Sequence, residues 1–142
     1  MFDIKIALID MKIIFVALLV CACLIGALAC SAQNGKSFEN LDNDAFETLL
    51  QDKNIHLLDV RTPSEYAAGH IPGSINIDVF RDDFAEQVDT LLDSKRPVAV
   101  YCKSGRRSRN AAKTLTDKGY KVYNLDNGIT GWVSAGKGVA KM

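Results

Sequence analysis

The sequence has no net charge: 17 Lys and Arg balance 17 Asp and Glu over 142 residues. Without a basic excess, the chain lacks the electrostatic footprint of a nucleic-acid-binding protein. Cysteine is scarce where a fold would use it. Of four cysteines, Cys21, Cys23 and Cys30 fall in or at the end of an apolar N-terminal stretch, and only Cys102 lies beyond it. A single internal cysteine excludes an intramolecular disulfide framework, and with no second cysteine near it there is no zinc-like pair. Internal repeats and low-complexity segments are also lacking. The length left after the apolar stretch suits one domain with its own core.

The apolar stretch reads as a leader. Met11-Lys12 precedes a run from Ile13 to Ala29. A short positive start, an apolar run and small residues before a cleavage point describe a secretory signal peptide over residues 1–29. Met11 is the better start, because Asp3 and Asp10 are out of place in a positive leading region. Ala27-Leu28-Ala29-Cys30 resembles a bacterial lipobox, with Cys30 as the lipid-bearing first residue of the mature chain and Ala27 standing where leucine is usual. The same residues form an Ala-x-Ala site for ordinary cleavage, and the run nearly reaches membrane-spanning length. A lipoprotein tethered to a membrane is favoured over a soluble exported chain or an uncut anchor. All three readings place the domain outside the cytoplasm, in the periplasm. Residues 30–37 are then the lipid-attachment site and a small polar linker, residues 38–136 the domain, and residues 137–142 a C-terminal tail.

The domain is organised around Val98-Ala99-Val100-Tyr101-Cys102-Lys103-Ser104-Gly105-Arg106-Arg107-Ser108. Pro97 to Tyr101 is short, Val-rich and bounded by proline, as a buried parallel strand should be. Cys102 therefore falls where a strand ends and a helix begins, the edge at which open α/β sheets bind ligands. Backbone N–H groups of the loop and the helix start would face the sulfur and favour its thiolate, and Lys103, Arg106, Arg107 and Arg109 add full charges. Such a place makes a cysteine nucleophilic and cradles an anion.

The remaining elements follow from spacing. A helix capped by Asp42 or Asn43 runs to about Asp52, with Phe46, Leu49 and Leu50 inward. Ile55 to Val60 is a strand. Thr62-Pro63-Ser64-Glu65 opens a short helix with a capping box, ended by Ala67-Ala68-Gly69. His70-Ile71-Pro72-Gly73 is a turn and Ser74 to Ile77 a short strand. Asp82 to Leu92 has helical spacing through Phe84, Val88 and Leu91. Arg107 to Lys118 is a helix with Ala111, Ala112 and Leu115 inward, closed by Gly119. Lys121 to Leu125 is a last strand, and Gly128 to Ala135 a short helix holding Trp132. Strands alternating with helices give an α/β fold with a parallel sheet covered on both faces.

Three stretches carry a family resemblance. Leu58-Asp59-Val60-Arg61, Glu65-Tyr66 and Gly69-His70-Ile71-Pro72-Gly73-Ser74 with Asn76 resemble the first signature of a rhodanese domain. Tyr101 to Ser108 resembles its active-site loop, and Asn127-Gly128-Ile129-Thr130-Gly131-Trp132 its closing motif, with Asn127 where a second glycine is common. The likeness spans Phe38 to Gly136. It implies a small rhodanese-like fold with a five-stranded parallel core. It also implies that Cys102 accepts a sulfane sulfur, becomes a persulfide and passes the sulfur on. The donor would be a small sulfur-containing anion such as thiosulfate, and the acceptor cyanide, a thiol or a partner protein. No metal or organic cofactor is needed. The chemistry agrees with the residues: transfer requires a thiolate nucleophile and then N–H donors to hold a persulfide anion.

On this reading Cys102 is the catalytic residue. Arg106 and Arg107 bind anion, although one of them also fits a solvated charge at the helix start. Lys103 helps to hold a dianionic donor, and Ser104, Gly105 and Ser108 shape the loop and offer donors. Asp59 and Arg61 fit a structural ion pair, with Glu65 as a further member, supporting the neighbouring loop. His70 belongs to its turn rather than to catalysis, His56 reads as an exposed or edge histidine, and Trp132 as a core anchor.

Three rival functions are weaker. Cysteine phosphatases also carry a basic loop entering a helix, with five residues between cysteine and arginine, whereas four separate Cys102 from Arg107 and six separate it from Arg109. A sensing or docking module that binds sulfur without turnover is the main alternative to an enzyme, and the intact cysteine loop argues against it. Thiol–disulfide exchange lacks a resolving cysteine in the domain.

Overall fold

A computed structural model of the chain describes residues 37–142. The leader, Cys30 and the linker before Ser37 lie outside the described residues. In chain order the elements are β1 (Glu39–Leu41), α1 (Asn43–Leu49), β2 (His56–Asp59), α2 (Pro63–Ala68), β3 (Ile75–Asn76), α3 (Phe84–Leu91), β4 (Val98–Tyr101), α4 (Arg106–Asp117), β5 (Val122–Leu125) and α5 (Gly128–Ser134). Five strands form one parallel sheet in the order β1-β5-β4-β2-β3. This is the five-stranded parallel α/β core that the sequence implied.

β4 occupies the centre of the sheet. It pairs with β2 on one side, His56 to Asp59 against Val98 to Tyr101, and with β5 on the other. All four of its residues are buried. Side chains alternate across a strand, so Val98 and Val100 enter one core while Ala99 and Tyr101 enter the other. The first core lies beneath α3 and α4 and includes Leu58, Val88, Ala111, Leu115 and Val122. The second lies beneath α1 and α5, with Phe46 edge-on to Trp132 at a ring separation of 6.2 Å. Cys102 continues the Val98–Val100 face and is packed in the first core, directly below the start of α4.

Local signals place the helix ends. Asp42, not Asn43, caps α1, accepting from the Asp44 and Ala45 N–H groups. α1 ends at Leu49, and hydrogen bonds from Gln51 to Thr48 and from Asp52 to Leu49 continue it as tighter turns. The capping box at α2 forms as its sequence predicts.

Three details differ from the sequence expectations. β1 was not evident strand by strand, because Glu39-Asn40-Leu41 is mostly exposed and shows no apolar alternation. Leu91 is half exposed and Leu92 is buried instead, because the helix delivers Phe84, Val88 and Leu92 at steps of four to the same side. His56 is buried rather than exposed, at 7 % exposure. Its Nε2 accepts the Asp93 N–H at 3.0 Å, so the ring ties the start of β2 to the segment after α3.

The segment after α5 is tied down. His70 and Ala140 exchange two backbone hydrogen bonds, the Trp132 indole N–H donates to the Gly138 carbonyl, and Lys137 pairs with Asp44 and Glu47. Among the described residues, no helix is long and apolar enough to cross a membrane.

Candidate active site

The Cys102 sulfur lies inside a closed loop. After β4 the chain turns through Lys103 and Ser104 and enters α4 at Gly105. Gly105 adopts a left-handed φ of 88°, and a Cβ there would collide with the Asp126 carbonyl oxygen. Only glycine meets both demands without strain. The turn directs the Gly105 N–H at the sulfur, 3.2 Å away. The buried Ser108 hydroxyl lies 3.4 Å from the sulfur and 3.1 Å from the Gly105 carbonyl, and its single proton serves one of them at a time.

The loop is also held from below. The first N–H groups of α5 close on it, Ile129 donating to the Cys102 carbonyl at 2.8 Å and Thr130 to the Lys103 carbonyl at 3.0 Å. Gly128 makes this approach possible, since a Cβ there would strike the Cys102 and Lys103 carbonyls. The closing motif therefore acts on the cysteine loop from the far side of the sheet edge. Its residues were noted in the sequence, but this role was not, because it depends on a contact across 25 positions or more.

Two opposing effects set the thiol's acidity. Burial, at 1 % exposure, is the larger single influence and pushes the Cys102 pKa up. The Ser108 hydroxyl and the N–H groups of Ser108, Ser104 and Gly105 push it down, and together they prevail, leaving it below the usual cysteine value. Hydrogen bonding to the charged form has won over desolvation.

The basic residues divide into paired and unpaired. Arg107 makes a two-pronged bond to Glu65, 2.8 Å on each arm, and its guanidinium lies 5.5 Å from the centre of the Phe80 ring. Phe80 itself is 69 % exposed. Arg109 pairs with Asp126 at 2.8 Å. Lys103 and Arg106 are exposed at the loop rim. Ser104 is also exposed, contributing its N–H rather than its side chain to the sulfur's surroundings.

Glu65 does not join the Asp59–Arg61 pair as expected. The capping box already fixes Glu65 beside Thr62, where its carboxylate faces Arg107. The Arg107 guanidinium holds the Glu65 carboxyl at a pKa of about 2. Asp59 and Arg61 form a buried pair with a closest approach of 2.6 Å, and Arg61 also donates to the Gly69 carbonyl. Asn76 donates to the carbonyls of both residues. The Tyr101 hydroxyl accepts the Ile71 N–H at 3.0 Å, and burial pushes its pKa up. These bonds fix the segment facing the cysteine loop. His70 stacks on Tyr66 at 3.9 Å, and its Nδ1 meets the Tyr66 carbonyl, away from the sulfur's hydrogen-bond partners. Asp126 is the member of the site that the sequence does not signal, and Glu65, expected beside Arg61, takes Arg107 as its partner. No group of residues suited to hold a metal occurs among the described residues.

Comparison with known proteins agrees with this geometry. A family model for the rhodanese-like domain matches residues 42–135. Thiosulfate:glutathione sulfurtransferase of Saccharomyces cerevisiae is 36 % identical over 117 residues, covering 71 % of this chain and 84 % of the yeast protein. A tRNA uridine(34) hydroxylase of Chlamydia trachomatis is 33 % identical over 109 residues, covering 72 % of this chain but 33 % of that longer protein. Among solved structures, a rhodanese-related protein from Thermoplasma volcanium superposes with a TM-score of 0.65 at 27 % identity, covering 72 % of this chain and 98 % of the other. A family match that takes in β2 to β5, the Cys102 loop and the helix closing on it leaves one assignment: the chain belongs to the rhodanese-like domain family.

Proposed function

We propose that the protein is a sulfurtransferase that carries a sulfane sulfur on Cys102 from an anionic donor such as thiosulfate to a thiophilic acceptor, cyanide or a thiol. The observation that carries the reading is the sulfur's enclosure by the Gly105 N–H and the Ser108 hydroxyl at a lowered pKa. The Cys102 thiolate attacks the outer sulfur of thiosulfate. The S–S bond of the donor breaks, sulfite leaves with the electron pair, and a persulfide remains. The donors that favoured the thiolate then hold the persulfide anion. Lys103 and Arg106, at the rim, supply charge for the donor. The name of the yeast relative supports both the donor and a thiol acceptor for this chain. The test is thiocyanate formation from thiosulfate and cyanide by the purified chain beside Cys102→Ser. Turnover lost in the variant supports the reading. Equal turnover in both overturns it.

The export reading rests on the sequence. We propose that Cys30 carries a lipid that holds the domain outside the cytoplasm, supported by Ala27-Leu28-Ala29-Cys30 after an apolar run. Labelled fatty acid should enter the parent but not Cys30→Ala, and equal labelling would reject the anchor.

A further inference from the structure

Gly136 ends α5 in a way that sends the chain back over the domain. It adopts a left-handed φ of 76°, its N–H donates to the Val133 carbonyl, and the Lys137 N–H donates to the Trp132 carbonyl. This pair of bonds is how a glycine closes a helix and reverses its exit. Residues 137–142 follow, outside the family match but tied along their length. The Lys137 ammonium meets the Asp44 and Glu47 carboxylates of α1 and lies 5.4 Å from the centre of the Trp132 ring. The Trp132 indole N–H donates to the Gly138 carbonyl at 3.0 Å. Ala140 and His70 exchange backbone bonds of 2.9 Å in each direction, and the Met142 N–H reaches the Ala67 carbonyl at 3.3 Å.

These ties do not serve to bury the segment itself. Val139 and Met142 are both exposed. Ordering a surface segment costs conformational entropy, so what its bonds secure is the placement of the elements they reach. Those elements are the two that hold the cysteine loop. α5 begins with the Ile129 and Thr130 N–H groups that donate to the Cys102 and Lys103 carbonyls. α2 carries Glu65, which grips Arg107 in the first turn of α4. Directly after α2, Gly69 packs against Val139, where an added Cβ would lie 3.8 Å from the valine Cγ2, and the Gly69 carbonyl accepts from Arg61.

Building on the reading of Cys102 as the reactive sulfur, we infer that residues 137–142 are a positioning strap. By tying the end of α2 to α5, the strap keeps the two supports of the cysteine loop at the spacing that aims the loop's N–H groups at the sulfur. It acts through Ile129 and Thr130 on one side of the loop and through Glu65 on the other.

The test compares the purified parent chain with Ala140→Pro and with a chain stopped after Gly136. The proline removes the N–H given to the His70 carbonyl and fills its place with the ring. It breaks one tie and leaves the others, so it gives the same readings should the truncated chain fail to fold. Amide exchange is followed by NMR at Ile129 and Thr130, with the β4 amides as reporters of global stability. Exchange at Ile129 and Thr130 should rise about tenfold relative to β4. Iodoacetamide alkylation of Cys102, read by mass on its own peptide, should shift its pH midpoint upward by about half a unit as the N–H donors lose alignment. A midpoint that stays with the parent's, or exchange at Ile129 and Thr130 that rises only as much as at β4, would overturn the positioning role and leave the strap a plain contributor to stability. Both readouts report on the loop rather than on turnover. A parent inactive toward thiosulfate would therefore count against the sulfur-transfer reading and not against the strap.

Discussion

Replacing Ser108 by Ala tests how the cysteine is activated. The hydroxyl is fully buried and lies 3.4 Å from the Cys102 sulfur. A hydrogen bond to a charged group contributes about 1.5–3 kcal/mol, and the long separation argues for the lower end. Since about 1.4 kcal/mol corresponds to one pKa unit, the thiol should titrate roughly one unit higher in the variant. Burial would then act against fewer donors, so the pKa moves back toward that of an ordinary cysteine. The cost in stability should be small, below about 1 kcal/mol, because no acceptor is orphaned: the Gly105 carbonyl keeps the Arg109 N–H at 3.1 Å. The assay is the pH dependence of iodoacetamide alkylation, or thiolate absorbance, for the parent and the variant. A thiol pKa that does not move would show that the Ser108 proton stays on the Gly105 carbonyl, and would refute the proposed balance.

Two further outcomes follow from other parts of the molecule. Glu65→Gln removes the charge opposite Arg107 while leaving an oxygen that can still accept the Thr62 N–H of the α2 capping box, and should lower stability by about 1 kcal/mol in urea melts. In the parent, the low Glu65 pKa means that its contribution is complete above the unfolded value of 4.5 and is lost as pH falls toward about 2. Glu65→Gln should therefore show a flatter loss of stability across that acid range, and an identical acid profile would count against the pair. His56 titrates in a separate window. Burial first, then Arg96, hold its pKa below 6.5 against the opposing pull of Asp93. The neutral ring is thus the folded form, with full stability above pH 6.5 and loss as pH falls through the lowered value. Urea midpoints between pH 7.5 and pH 5 should decline in the parent and stay flatter in His56→Gln. Parallel declines would reject this assignment.

Much of the fold was legible because most of its elements are locally consistent. Val98 to Tyr101 is apolar throughout because β4 is central and buried on both faces. Thr62, Pro63 and Glu65 specify the start of α2 with no help from distant residues. The elements that escaped notice are those whose identity comes from partners. β1 is a strand because Glu39-Asn40-Leu41 lies along Tyr123-Asn124-Leu125, and its own residues carry no alternation. The alternation of His56 with apolar neighbours suits an exposed or edge histidine, but the residue is buried and its ring nitrogen accepts a backbone N–H 37 positions away. At the site, the sequence marked Cys102 and its loop. It did not show that Glu65 and Asp126 occupy two of the four nearby cations, since these pairs span 42 and 17 positions.

That division of charge bears on the sulfur's reactivity. Four unopposed cations around one buried thiol would depress its pKa strongly, and a thiolate loses nucleophilicity as its pKa falls. Here Arg107 and Arg109 are neutralised by carboxylates, and the donors acting directly on the sulfur are uncharged, the Ser108 hydroxyl and the N–H groups of Ser108, Ser104 and Gly105. Burial opposes these donors. The sulfur is thereby shifted toward the thiolate without being tied to a cation. The two rim charges, Lys103 and Arg106, remain for species arriving from solution. A species carrying negative charge can then draw on the rim charge without displacing an ion pair that the loop needs to keep its shape.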